Sequence, residues 1–356
     1  MDNSIEERRF SLESRRYIGC KTKLVDWIFS LINEHTHDVH SFCDIFAGTG
    51  VVAHRALQTY ERVVVNDFLH SNNVMYNAFF APTQWNEERV QAIIEEFNSV
   101  DPNKVRENYF SKNFGGKYFD LDTAKKVGYI RERLQKMKSS LTTKEYSILL
   151  ASLIYSIDRR ANTIGHFEAY IKREIPTQSP FELRMIDVQS YEGVEIHQED
   201  ANRLARTVDV DLTYLDPPYN SRQYSRFYHV YENLVQWKKP QLYGTALKPK
   251  EENMSDYCRN AAFNAFTDLV SHIKSRYLVV SYNNTYHSKS TSSENKIKLE
   301  QLEEVLNKCG NTKVFNHEFK AFNSGKTEFD DHREYLFITE VDDEKRNRSF
   351  PSVLRG

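Results

Sequence analysis

Cysteine is scarce. Only Cys20, Cys43, Cys258 and Cys309 occur in 356 residues, with no CxxC pair and no histidine at zinc-ligand spacing beside them. A disulfide scaffold and a structural zinc module are excluded on that ground, and a reduced, cytoplasmic setting is expected. The twelve histidines are scattered without an HxxxH pattern, so no metal site is expected. No run of about 18 apolar residues is present, which argues against a membrane span. The opening MDNSIEERRF is too charged for a secretory signal. One-sided charge is missing too: 48 Lys and Arg against 50 Asp and Glu leave a net charge of −2. Any nucleic-acid surface must therefore be a local patch. Repeats, heptads and low-complexity tracts are absent. What remains, 40% hydrophobic and 13% aromatic residues, suffices for a large core.

The order of elements is that of an α/β chain. Ser41 to Phe46 reads as a short buried strand, followed by Ala47-Gly48-Thr49-Gly50 and a helical pattern over Val51 to Thr59. Val63 to Val65 reads as a second strand, ending at Asn66-Asp67. Such a β-turn-α-β start opens a doubly wound sheet. From about His70 to Ser190 the alternation stops. Amphipathic stretches at Glu87 to Phe97, Thr123 to Lys138 and Thr143 to Ser156 predict helices, and turn-rich segments follow at Ala161 to Gly165 and Pro176 to Pro180. Strands return at Val194 to His197, Asp211 to Leu215, Tyr277 to Tyr282 and Arg333 to Thr339. Helices are expected at Ser225 to Trp237 and Asn295 to Lys308. The simplest organisation is one discontinuous α/β unit, residues 1–70 and 190–345, split by a helical insert at 71–189 and closed by a tail at 346–356.

Two motifs carry chemistry. Phe46-Ala47-Gly48-Thr49-Gly50 joins a strand to a helix, where glycines permit a tight turn and close ligand approach. It is neither a phosphate-binding GxxxxGK[ST] nor a full GxGxxG, and an ordinary strand-helix turn would also explain it. Asp67, 23 residues after Asp44, stands where nucleoside-binding domains place an acid for ribose hydroxyls. Asp44 sits inside an apolar strand and needs a partner, either a ligand ammonium or the turn's own amides. The second motif, Asp216-Pro217-Pro218-Tyr219-Asn220, ends a strand and is the more specific. Its prolines fix φ and remove two donors, leaving outward carbonyl acceptors. Asp216 and the Pro217 carbonyl suit a base carrying an exocyclic amine. They would hold it in line with a sulfonium methyl and stabilise the charge developing on nitrogen. Tyr219 offers a stacking face for a base taken out of the duplex.

Phe46-x-Gly48-x-Gly50 followed by Asp216-Pro217-Pro218-Tyr219 resembles the Dam-like (alpha-group) adenine-N6 DNA methyltransferases. Arg16-Tyr17-Ile18-Gly19-Cys20-Lys21-Thr22-Lys23 is similar to their N-terminal cofactor-binding motif, with Cys20 where a second glycine is frequent. Asn220-Ser221-Arg222-Gln223-Tyr224, continuing to Tyr228-His229, resembles the type II restriction-modification subset, FokI-type enzymes included. Glu199-Asp200-Ala201 stands where that family sets an acid against the cofactor adenine. The resemblance covers roughly residues 15–70 and 190–340.

It implies a Rossmann-like seven-stranded methyltransferase sheet with a reversed last strand, S-adenosyl-L-methionine as cofactor, double-stranded DNA as partner, and a target-recognition role for the insert. Catalysis would fall to Asp216, Pro217, Pro218 and Tyr219, and cofactor binding to Tyr17, Gly19, Lys21, Asp44, Phe46, Gly48, Gly50, Asp67, Asp200 and Asp216. A cognate restriction endonuclease acting separately is a further expectation.

For DNA contact the candidates are Asn220, Arg222 and Gln223, with Arg159, Arg160 and Lys172. Charged pairs on a solvated face are the commoner explanation for the last three, and for Lys104, Arg106, Lys112 and Lys117 among Tyr109, Phe110 and Phe114. The competing functions are methylation of cytosine N4, or of an RNA or protein amide, a silent DNA-binding protein on the same fold, and a dehydrogenase. The family's cytosine-N4 enzymes tend to have serine in place of Asp216, and a dehydrogenase has no use for Asp-Pro-Pro-Tyr.

Overall fold

A computed structural model describes residues 9–172, 175, 179–284, 294–318 and 332–346. Seven strands form one sheet: β1 Ser41–Asp44, β2 Arg62–Asn66, β3 Val194–His197, β4 Asp209–Leu215, β5 Lys274–Asn283, β6 Gly310–Glu318 and β7 Arg333–Val341. Their order is β3-β2-β1-β4-β5-β7-β6. β1 to β5 run parallel, and β7 lies antiparallel to both β5 and β6. This is the expected seven-stranded α/β sheet with its last strand reversed. The winding changes direction between β1 and β4, and ligands of open α/β sheets bind outside the strand ends at such a switch point.

Both sheet faces are covered, so the central strands are apolar on both sides. On one face Phe42 and Val63 belong to an apolar cluster with helices α1 (Val25–His35), α2 (Val51–Leu57) and α3 (His70–Phe79). The same cluster continues into the inserted helices α4 (Glu87–Asn98), α5 (Tyr109–Phe114), α6 (Leu121–Met137) and α7 (Thr143–Asp158). On the other face Cys43 and Val64 pack with Leu269, Leu302 and Phe337. The insert is thus welded to the sheet by shared core.

α7 is central to that weld. It is buried continuously from Ser147 to Asp158, in keeping with its predominantly apolar sequence. Thr142 and Glu145 cap it reciprocally. The Lys144 ammonium is taken into the interior by the Gln189 carbonyl and the Ser190 hydroxyl at 2.7 and 2.6 Å. Burial pushes its pKa down to about 8. Phe110 and Phe114, interleaved with the lysines of the 104–117 stretch, are core residues of α5.

Some elements depart from the sequence pattern. β6 gives no apolar signal because it is an edge strand exposed along most of its length. The helix expected over Ser225 to Trp237 is two, α9 Tyr224–Phe227 and α10 His229–Gln236, after α8 Ala201–Leu204. The backbone of Tyr228 (φ −112°, ψ 26°) leaves helical geometry between them. α3 begins not with a side-chain cap of its own but with a borrowed one: the buried Glu232 carboxylate of α10 accepts from the backbone N–H groups of His70 and Ser71 at 3.1 and 2.7 Å. Arg173, most of the Pro176 to Pro180 turn and nearly all of the 346–356 tail lie outside the described residues.

Candidate active site

At the switch point a cleft of about 880 Å³ opens between the ends of β1, β2 and β4. Tyr17, Gly19, Lys21, Asp44, Phe46, Gly48, Asp67, Asp200 and the whole of Asp216-Pro217-Pro218-Tyr219 line it. Residues 200 positions apart in sequence are thus brought into one cavity. Gly50 does not line it. Its φ of +82° starts α2, and a Cβ there would stand 3.1 Å from Tyr76 and 3.3 Å from Phe80. Glycine at that position answers to helix entry and packing.

The floor holds an unpaired acid. Asp44 is 1% exposed, and neither carboxylate oxygen has a well-formed hydrogen bond. Burial, and then the nearby Asp216, hold its pKa well above the usual carboxylate range. A buried carboxylate left without a donor is destabilising unless a ligand supplies a cation. Asp67, in contrast, is held firmly. It accepts from the backbone N–H groups of Gly48 (3.1 Å) and Leu69 (2.8 Å) and from the Asn72 side chain (3.1 Å). Burial nevertheless pushes it up to about 6. One lone pair on Oδ1 stays open, enough to accept a hydroxyl.

The third wall is aromatic. Phe46 meets Tyr257 edge-on at 5.0 Å. The segment carrying Tyr257 is clamped by Gln223, whose amide donates to the Ser255 carbonyl at 2.9 Å and accepts from its N–H at 2.7 Å. Both ends of the Gln223 side chain are therefore engaged inside the protein, not presented to solvent. Asp200 sits at the exposed rim, where one oxygen caps α8 through the N–H groups of Asn202 and Arg203. Its loop is fixed by Asn66, which donates to the carbonyls of Ile45 and Glu199 and accepts from the Glu199 N–H.

The Asp-Pro-Pro-Tyr loop carries a charge network. Lys21 is almost fully buried. Its ammonium lies 3.1 Å from Asp216 Oδ1 and 2.8 Å from Glu334 Oε1, and it also donates to the Tyr219 hydroxyl. That hydroxyl donates to Asp216. Burial works against the Lys21 charge, but Asp216 and Glu334 outweigh it and raise its pKa. Burial pushes Asp216 up to about 6; Lys21 opposes that shift and Glu334 adds to it. Glu334, on β7, is also the acceptor for the Ser281 hydroxyl at 2.7 Å. Sequence patterning did not flag it, because a lone glutamate near the start of a strand carries no motif. Lys21 therefore engages the Asp216-Pro217-Pro218-Tyr219 loop.

The N-terminal motif is held by the insert and by the segment that follows the Asp-Pro-Pro-Tyr loop. Arg16 bonds Asp158 at the end of α7 through its backbone N–H and Nε at 3.3 and 3.2 Å. Tyr17 stacks on Tyr228 at 4.5 Å and on Tyr224 at 5.4 Å. The Tyr228 hydroxyl accepts from the Ile18 N–H at 2.9 Å. Asp158, one residue before the Arg159-Arg160 pair, had no sequence signal.

None of Arg159, Arg160, Lys172 and Arg222 lines the cleft. Arg160 donates to the carbonyls of Ser179 (2.9 Å) and Pro180 (2.8 Å), while Arg159 and Lys172 are exposed. Arg222 lies 6.0 Å from the Phe227 ring, which His166 contacts edge-on. Asn220 accepts from the Arg222 N–H at 3.1 Å. No helix among the described residues is long and apolar enough to cross a membrane.

Comparison with known proteins agrees with this geometry. The family of D12 class N6 adenine-specific DNA methyltransferases matches residues 17–276. The type II methyltransferase M.CviAII of Paramecium bursaria Chlorella virus 1 is 31% identical over 341 residues, covering 92% of this chain and 98% of that protein. M.NlaIII of Neisseria lactamica is 28% identical, with 91% and 98% covered. M.FokI of Planomicrobium okeanokoites is 29% identical over 92% of this chain, which corresponds to 53% of its own length. The chain belongs to the D12 class of N6 adenine-specific DNA methyltransferases.

Proposed function

We propose that the cleft binds S-adenosyl-L-methionine and methylates the N6 amine of an adenine taken out of double-stranded DNA. One observation carries the reading: an unpaired, buried Asp44 and the Asp216-Pro217-Pro218-Tyr219 loop face the same cavity. The donor set fits this cofactor. Asp44 accepts its ammonium, the open lone pair of Asp67 a ribose hydroxyl, and Phe46 with Tyr257 flanks its adenine. Tyr17, Gly19 and Gly48 complete the walls, and Asp200 at the rim takes the adenine amine. When bound, the cofactor supplies an electrophilic methyl on a sulfonium whose leaving group needs no metal assistance.

The rest is done by the chain. Asp216 and the Pro217 carbonyl accept from the target amine, aim its lone pair and stabilise the positive charge that grows on nitrogen during transfer. Pro218 keeps the loop rigid and Tyr219 stacks on the extruded base. Lys21 offsets part of the charge of Asp216 and Glu334 before substrate arrives, and on entry the amine competes for the Asp216 oxygen that Lys21 and Tyr219 hold. Asn220 and Arg222 continue from this loop toward the DNA. With Arg159, Arg160 and Lys172 they form the local basic rim. The insert 71–189 reads the target, and 1–70 with 190–345 performs the chemistry. The type II names of the relatives support a place beside a separate restriction endonuclease.

The test is Asp216→Ala on purified protein with duplex DNA. Loss of N6-methyladenine formation by 10³-fold or more, with cofactor affinity retained, is expected. A variant that folds but no longer binds the cofactor would remove Asp216 from the reacting end.

A further inference from the structure

We propose that a groove beside α10 is a second base-reading site, taking the exocyclic amino group of a non-target nucleobase. The inference rests on the DNA methyltransferase reading and names where part of its specificity resides. The groove, about 920 Å³ and open to solvent, lies between α10 and the 238–253 segment and shares no residue with the cofactor cleft.

Its floor holds acceptors. His229, Asn233 and Gln236 follow helical spacing on one face of α10, and all three line the groove. His229 is 1% exposed and Asn233 5%. Asn233 Oδ1 and Gln236 Oε1 are buried with no hydrogen-bond partner.

Asn233 is fixed as an acceptor by what holds its other end. The Tyr109 hydroxyl donates to the Pro240 carbonyl at 2.7 Å. Its remaining capacity is as an acceptor, and it takes the Asn233 amide N–H at 2.9 Å. The amide cannot turn over without losing that bond, so Oδ1 stays the unbonded end. The His229 ring is held between the Arg226 carbonyl, 3.0 Å from Nδ1, and the Ala246 carbonyl. Burial pushes the ring's pKa down to about 4, so it is neutral at physiological pH. Neutral buried acceptors without donors call for a ligand that brings N–H groups.

The rim selects among such ligands. Arg226, Lys238 and Lys250 stand around the opening. Glu232 is occupied by the start of α3, and Glu252 pairs with Lys238 at 3.9 Å. A free ammonium would meet these cations. An amino-bearing base on a phosphodiester meets acceptors at its edge and cations at its backbone. The position agrees. Asn253, in the groove, donates to the carbonyl of Phe68, which lines the cleft, and Ser255 of the same segment lines the cleft as well. DNA presenting an adenine to the cleft therefore runs past the groove.

The test uses duplexes carrying the enzyme's methylated motif. Each non-target base is replaced in turn by its analogue without the exocyclic amine: purine for adenine, pyrimidinone for cytosine, hypoxanthine for guanine. kcat/KM is measured for the wild type, Asn233→Leu and Gln236→Leu, with cofactor affinity as the folding control. At one position the deletion should lower wild-type kcat/KM by about 5- to 150-fold, and that penalty should disappear or shrink in the variants. Should Asn233→Leu not fold, Gln236→Leu carries the comparison. If every non-target amine is dispensable, or the penalty is equal in wild type and variants, the groove does not read a base. A wild type that binds the cofactor yet methylates no duplex would instead overturn the methyltransferase reading itself.

Discussion

Asp44→Asn should make the unliganded protein more stable and the enzyme inactive. The side chain is 1% exposed and neither oxygen has a well-formed hydrogen bond, so the ionised acid has little compensation in the fold beyond the Ala53 N–H. An unsatisfied buried polar group costs about 1–3 kcal/mol, and more when charged. The amide keeps the shape and removes the charge. With the Asp44 pKa raised, the native state favours its protonated form, and the wild type loses this contribution as pH rises through the folded value. The advantage of Asn therefore grows with pH. At about 2.1 cal/mol/K per residue, unfolding entropy here is about 0.75 kcal/mol/K, so a gain of about 2 kcal/mol raises Tm by about 3 °C. Cofactor affinity moves the other way. Loss of a buried charge partner costs about 2–4 kcal/mol, roughly 30- to 1,000-fold in Kd. Scanning calorimetry at pH 6 and 8, with titration calorimetry against S-adenosylmethionine, measures both. An Asn variant no more stable than wild type at pH 8, or one that binds the cofactor normally, refutes the assignment.

Other consequences follow from the same cavity. Asp67→Ala should weaken cofactor binding by about 2 kcal/mol, near 30-fold, because a ribose acceptor and the Gly48 anchor are lost together; unchanged affinity in titration calorimetry would remove Asp67 from the site. The rate of transfer should fall as pH drops below about 6, since Asp216, with its pKa up at about 6, must be ionised to accept from the amine. Lys21→Met should move that acidic limb upward and Glu334→Gln should move it downward, because Lys21 lowers and Glu334 raises the Asp216 pKa; shifts in the same direction in the pH–rate profile would contradict the network. Gln223→Leu should weaken cofactor affinity more than DNA affinity, because its amide fixes Ser255 beside Tyr257; a filter-binding defect confined to DNA would return Gln223 to the DNA surface.

What was legible in the sequence was what depends on neighbours in the chain. The Gly48 turn, the strand-ending Asp67 and the Asp216-Pro217-Pro218-Tyr219 loop each need a local backbone shape, so residue order betrays them. Parallel strands such as β2 and β4 showed as apolar runs because both of their faces are buried. β6 did not, since an exposed edge strand needs no apolar pattern. Residues that act across long separations were invisible. Glu334 reaches Lys21 from the far end of the chain, Asp158 fixes Arg16, and Glu232 caps α3. Their roles exist only once the fold has brought them together. The same limit explains Gln223, whose place beside the catalytic loop suggested a DNA contact while its amide faces Ser255. It also explains Gly50, which its motif assigned to the cofactor and the structure sets against Tyr76.

The most direct test is to incubate the purified protein with plasmid DNA and S-adenosylmethionine and sequence the product for modified bases. N6-methyladenine at one recurring short motif, absent with Asp216→Ala, is the predicted result. N4-methylcytosine in its place, or no modified base from a protein that binds the cofactor, would contradict the assignment of the cleft to adenine in duplex DNA.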